Sequence, residues 1–264
     1  MTHTRGDTLR VAVLGRGSIG AVVAQRLASG AVDGAELSCV VGRTATGDAL
    51  PLDEALACSD VVVECAGQPA LHQHALAIVE SGCDLVVTSV GALCADGLGK
   101  RLRDAGPGRT ICTHGAIGGL DLLASAADAD GVDSVTVRST KKPAGLVRPW
   151  MSAPEVHRIE GASVPIEVFR GSAEDAAQLF PESLNVAAAV DFAVRGGGAT
   201  TVELVADPHA TLTRHEIHAD GPMGRYTFVV ENRPSPENPK SSAVVPYSVL
   251  RTVAGLTRAL PLIA

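Results

Sequence analysis

Short apolar runs alternate with helically spaced apolar positions over the first hundred residues. Residues 11–14 (VAVL), 36–41 (ELSCVV), 60–65 (DVVVEC), 85–88 (LVVT) and 110–112 are predicted strands, rich in β-branched residues and bounded by glycine or polar positions. Between them, AVVAQRLASG, residues 52–57, residues 69–81 (apolar at 71, 75, 76, 78 and 79) and residues 97–104 are predicted helices. Strict strand–helix alternation with right-handed crossovers assembles one parallel sheet covered on both faces. The expected class is therefore α/β, with a doubly wound N-terminal sheet of the Rossmann type.

Beyond Gly115 the texture changes. Residues 120–127 are a predicted helix, and SVTVRS (134–139) alternates as a half-exposed strand does. Residues 166–170, 200–206, 214–219 and 225–231 are further predicted strands, with Asp220-Gly221 marking a turn between the last two. Helices are expected near 173–179 and 184–194. This mixture predicts a second, α+β catalytic domain built on an antiparallel sheet. A proline-rich loop, NRPSPENPK, then leads into a long predicted helix at 241–259. The expected division is 1–117, 118–239 and 240–264, the last segment a helix packing back on the first domain.

Composition narrows the function. With 264 residues, 46% hydrophobic and 19% charged, the chain can bury a core in one large or two modest domains. Aromatics are only 3%, so Ala, Val, Leu and Ile must build that core. A net charge of −7 without a basic run argues against nucleic acid as a partner. The polar start MTHTRGDTLR has no signal-peptide core, and no apolar run is long enough for a membrane span. The six cysteines, Cys39, Cys58, Cys65, Cys83, Cys94 and Cys112, form no C-x-x-C pair. They read as small buried hydrophobes in a reducing compartment, with no metal site. The expectation is a cytoplasmic protein acting on a small molecule.

The candidate chemistry begins at VAVLGRGSIG, where Gly15, Gly17 and Gly20 are spaced G-x-G-x-x-G between a strand and a helix. Gly15 makes the turn, Gly17 admits phosphate oxygens, and Gly20 lets helix and strand pack closely. Arg16, Ser18 and Ile19 complete a dinucleotide-binding loop at a helix N-terminus. An acidic residue normally grips the NAD ribose near the end of the second strand, yet here the chain reads Gly42-Arg43-Thr44. Arg43 and Thr44 leave room and positive charge for the 2′-phosphate of NADP; the alternative is a solvated surface arginine. Small residues end the third strand (Ala66, Gly67) and the fourth (Thr88 to Ala92), where a dinucleotide crosses the sheet edge.

Six segments taken together, ECAGQPALHQHAL, VTSVGAL, HGAIGGLDLL, FPESLNVAAAV, HEIHADGPMGRY and NPKSSAVVPYSVL, resemble the L-aspartate dehydrogenase family in order along nearly the whole chain. The resemblance implies a Rossmann domain, an α/β catalytic domain and a homodimer. It also implies interconversion of L-aspartate and iminoaspartate with NAD or NADP, the imine yielding oxaloacetate and ammonia or feeding NAD biosynthesis. The family's cofactor-contacting alanine and asparagine match Ala116 and Asn185, and its active-site histidine matches His215. The chain departs from the family's pattern at His114, where a serine or alanine is common, and at Gly42, where many members carry an acid.

Amino-acid oxidation needs a base, a water activator and anchors for two carboxylates. Histidine suits the proton transfers because its ordinary pKa is about 6.5. Strand alternation turns Glu216 and His218 away from His215. Carboxylate anchors are expected in SVTVRSTKKPAGL, which offers Arg138, Lys141 and Lys142, with Thr140 and Lys141 favoured at the site. Asn185, in an apolar helix pattern, is either a capping amide or a partner for the nicotinamide carboxamide. His114 is either a substrate contact or a strand-end residue satisfying backbone groups. The rival readings are a homoserine dehydrogenase, a dihydrodipicolinate reductase, or a non-catalytic dinucleotide sensor.

Overall fold

A computed structural model of the chain describes residues 8–42, 49–195, 199–238 and 241–257. It divides into two compact units, Met1–Thr113 with Val245–Ala264, and His114–Val244.

The first unit runs β1 (Leu9–Leu14), α1 (Ser18–Ala28), β2 (Ala35–Val41), β3 (Ala49–Leu50), α2 (Leu52–Ala57), β4 (Val61–Glu64), α3 (Gln68–Glu80), β5 (Asp84–Val87), α4 (Leu98–Asp104) and β6 (Thr110–Cys112). The strands form one sheet in the order β3-β2-β1-β4-β5-β6, with every pair parallel. The sheet is doubly wound, and its order reverses beside β1, the switch point where such sheets take ligands at the strands' carboxyl ends. β4 is buried along its whole length, which is why DVVVEC is a near-continuous apolar run rather than an alternating one. At the opposite, amino-terminal edge, ion pairs Arg10–Asp60 and Arg109–Asp84 pin neighbouring strands together.

The second unit runs α5 (Leu120–Ala129), β7 (Ser134–Lys141), α6 (Ala153–Glu160), β8 (Ile166–Ser172), α7 (Ala173–Leu179), α8 (Asn185–Ala193), β9 (Ala199–Ala206), β10 (Thr213–Gly221) and β11 (Gly224–Asn232). Its sheet has the order β11-β10-β7-β9-β8. β10 is antiparallel to both neighbours and β8 is antiparallel to β9, but β7 and β9 run parallel. The sheet is therefore mixed, not purely antiparallel as expected. β7 and β9 are joined not by a hairpin but by a long connection that carries α6, β8, α7 and α8, and only a long crossover permits parallel pairing. The β10–β11 turn also moves. Asp220 and Gly221 stay in β10, and Pro222-Met223 make the reversal between the paired Gly221 and Gly224. Helix α6 was not anticipated, although Ser152 and Glu155 form the capping box that S-A-P-E announces.

The chain then returns to the first unit as α9 (Val245–Leu256). It starts later than residue 241 because Pro246 lacks an N–H and fits only in a first turn. Val249, Leu250 and Val253 of α9 enter the same buried cluster as Val11, Val13, Val63 and Val86 of the sheet. Among the described residues no helix is long and apolar enough to cross a membrane.

Candidate active site

The glycine loop does three different jobs. Gly15 has φ +108°, and a Cβ there would lie 2.9 Å from the Ala66 Cα and the Cys65 carbonyl. A Cβ on Gly20 would sit 2.2 Å from the Gly15 carbonyl oxygen, so α1 could not close on the loop with any other residue. Gly17 is different: its φ is −70°, and a Cβ would meet no protein atom within 4 Å. The space beside Gly17 is therefore open. Gly17 caps α1 without a side-chain hydrogen bond, and no acidic residue occupies the first turn. Free N–H groups and the positive end of the helix dipole there fit an anionic pyrophosphate. Arg16 is exposed, and Ile19 packs against the core, leaving its backbone to the loop. Arg43 and Thr44, the expected 2′-phosphate contacts, lie outside the described residues.

Beside this loop stands a residue that sequence reasoning missed. Glu64, the last residue of β4, is completely buried. Its Oε1 accepts hydrogen bonds from the Ala66 and Gly67 N–H groups, both at 2.8 Å, and from the Ser89 hydroxyl at 3.0 Å. Its Oε2 accepts from the Ser89 N–H at 2.9 Å. Burial pushes the carboxyl above its ordinary value, while the hydrogen bonds from Ser89, Gly67 and Ala66 pull it back. One carboxylate thus ties together the loops that follow β4 and β5. The available signal was a lone acid closing the apolar run VVVE.

In the second unit, His215 is the third residue of β10, with Ser139 of β7 as its cross-strand neighbour. Both side chains are buried, and Ser139 Oγ and His215 Nδ1 are hydrogen-bonded at 2.8 Å. Burial, then the positive charge of Lys141, push the imidazole down to about 3, so it is neutral at pH 7. Lys141 lies two residues beyond Ser139, on the same face of β7, and its Nζ donates to Ser183 Oγ at 3.3 Å. Arg148, also missed, is buried, stacks on the Phe180 ring and reaches the same Ser183 Oγ at 3.1 Å. Two cationic side chains thus converge on one hydroxyl in the unit that holds His215.

The other candidates separate. Thr140 takes the opposite face of β7 from Ser139 and Lys141, because strand side chains alternate; its side chain is directed away from His215. Arg138 shares that opposite face and is tied to Glu203 at 2.6 Å, so it does not serve as a free carboxylate anchor. Lys142 is exposed. Glu216 pairs with Arg214 and His218 contacts Thr227, both away from His215. His114 directs Nδ1 to the Ile117 carbonyl oxygen, the backbone-satisfying role. Ala116 is held through its carbonyl by the Asn232 side-chain amide at 2.7 Å, and Phe228 fills the space beside Gly119 in the same turn. Asn185 opens α8 as its first residue rather than lying within it. The cysteines form no disulfide; Cys39 and Cys83 are buried, but Cys112 is exposed and the rest are half-buried, so not all six are core residues.

Comparison with known proteins identifies the family. Residues 121–256 match the family model described as aspartate dehydrogenase, C-terminal, and residues 15–108 match the NAD-binding domain model of homoserine dehydrogenase. The chain is 39% identical to an L-aspartate dehydrogenase of Ruegeria pomeroyi, covering 93% of this chain and 91% of the relative. It is 37% identical to that of Polaromonas sp. strain JS666, over 96% and 99%. The crystal structure of aspartate dehydrogenase from Thermotoga maritima superposes with a TM-score of 0.73 at 25% identity, covering 96% of this chain and 98% of that one. The chain belongs to the aspartate dehydrogenase family.

Proposed function

We infer that this protein is an NAD(P)-dependent L-aspartate dehydrogenase. It oxidises aspartate to iminoaspartate, which water converts to oxaloacetate and ammonia. The observation that carries the reading is His215, a buried neutral imidazole oriented by Ser139 and accompanied by Lys141, in a chain of this family. When bound, the nicotinamide supplies the acceptor for the hydride leaving Cα. Every other task falls to the chain's own side chains and loops.

Gly15, Arg16, Gly17, Ser18, Ile19 and Gly20 hold the pyrophosphate, with Ala66, Gly67, Ala116 and Asn185 as further cofactor contacts. Lys141 anchors a substrate carboxylate. A carboxylate beside Lys141 cancels one of the two causes that depress His215 and restores part of its basicity. His215 then takes a proton from the water that attacks the iminium carbon and returns it to the nitrogen of the resulting carbinolamine. That nitrogen leaves as ammonia as the hydroxyl loses its proton and becomes the ketone of oxaloacetate. The enzyme is further proposed to be a cytoplasmic homodimer that favours NADP through Arg43.

The test is absorbance of the reduced dinucleotide with aspartate, homoserine or oxaloacetate plus ammonia. His215→Ala should keep dinucleotide affinity within about twofold and lose roughly a hundredfold or more in kcat. No aspartate-dependent signal in a parent protein that still binds dinucleotide would sink this reading and favour a sensor, and turnover unchanged in the variant would remove His215 from the mechanism. In the same assay, Arg43→Ala should lower the NADP-to-NAD ratio of kcat/KM.

A further inference from the structure

We propose that Glu64 is a positioning residue for the dinucleotide, fixing the loops after β4 and β5 in the conformation that receives it. The proposal rests on the dinucleotide reading above and extends it to a residue that does not itself face the ligand.

Geometry carries it. Glu64 ends β4, beside the switch-point strand β1, at the carboxyl edge of the sheet. Its carboxylate gathers four donors, three of them backbone N–H groups, from two loops. A neighbouring turn packs directly on one of these loops, since a Cβ at Gly15 would strike the Ala66 Cα. The placement of Gly15, Ala66, Gly67 and Ser89 is therefore one mechanical problem, and Glu64 is the atom group common to both outer loops. The Ala66 and Gly67 N–H groups are also committed to Glu64. What these two residues offer a dinucleotide is small size, not donors. The residue before Ala66 fits the same picture, because Cys65 is half-buried and its thiol lies 3.9 Å from the Thr88 hydroxyl of the second loop.

A carboxylate is needed because all four partners donate. In Glu64→Gln the amide oxygen still accepts from Ala66 and Gly67, but the NH2 group faces the Ser89 N–H, donor against donor. The β5 loop should lose its anchor while the β4 loop keeps its own. In Ser89→Ala only the hydroxyl contact is lost, and the carboxylate keeps its three N–H partners.

The decisive measurement is direct dinucleotide binding, by fluorescence of the reduced form or by calorimetry, with turnover measured separately. Relative to the parent, Ser89→Ala should weaken binding by about threefold and Glu64→Gln by about tenfold or more. In turnover, the KM for the dinucleotide should rise while the KM for aspartate stays within about twofold, a split that a general loss of folded protein would not give. Affinity within twofold of the parent in Ser89→Ala and Glu64→Gln alike overturns the proposal. So does weakened binding that merely tracks loss of the thermal transition. Should Glu64→Gln fail to fold, Ser89→Ala alone decides: unchanged binding there overturns the proposal. A parent that binds dinucleotide but leaves aspartate untouched would refute the enzymatic reading and leave this one standing.

Discussion

His215 is held in a state that costs stability in acid. Its imidazole is pushed down to about 3 from an ordinary 6.5, so between those values the unfolded chain binds a proton that the folded chain refuses. The stability this contributes is complete above pH 6.5 and is lost as pH falls towards 3. His215→Gln does not titrate and should flatten the acid limb of a stability–pH curve, whose steepest single-proton slope is about 1.4 kcal/mol per pH unit. Denaturant melts at pH 7, 5 and 4 check this; equal slopes in both proteins would mean that the imidazole is not desolvated. Under the proposed function, a dicarboxylate substrate that neutralises Lys141 would remove the smaller of the two causes of the His215 depression.

For the elements, Gly20 and Gly17 of the same loop meet opposite surroundings, one crowded and one open. Gly20→Ala drives a Cβ into the Gly15 carbonyl at 2.2 Å and should lower both the melting temperature and dinucleotide affinity. Gly17→Ala places its methyl where no protein atom lies within 4 Å, in a backbone conformation open to any residue. Its melting temperature should stay within a few degrees while affinity falls at least about tenfold. Thermal melts paired with binding titrations distinguish the two, and equal stability losses would contradict the assigned roles. Most strands and helices were legible because burial on both faces of a parallel sheet forces unbroken apolar runs. Less legible was whatever depends on register or on backbone donors. Nothing in SVTVRST says that Ser139, not Thr140, will stand opposite His215, because that follows from the pairing of β7 with β10. Glu64 was invisible for a related reason: three of its partners are N–H groups, which leave no trace in residue identity.

For the whole molecule, the first unit is not contiguous in sequence. Val249, Leu250 and Val253 of α9 are as much its core as Val11 and Val63. Leu250→Ala should cost roughly 2 kcal/mol or more by removing buried methyl groups. Saturating dinucleotide should restore stability by mass action, about 2.7 kcal/mol at a hundredfold excess over Kd. Calorimetry with and without dinucleotide checks both effects. A variant as stable as the parent would mean that α9 is dispensable to the core.

That returning helix also dictates a timetable. A ribosome releases β1 to β6 first, yet the hydrophobic surface that α9 covers stays open until residues 245–256 emerge. The intervening segment, residues 114–244, has all five of its strands by then and can close its own sheet without waiting. The unit begun before the other is thus completed after it, and its exposed valine- and leucine-rich face needs protection during synthesis until α9 arrives.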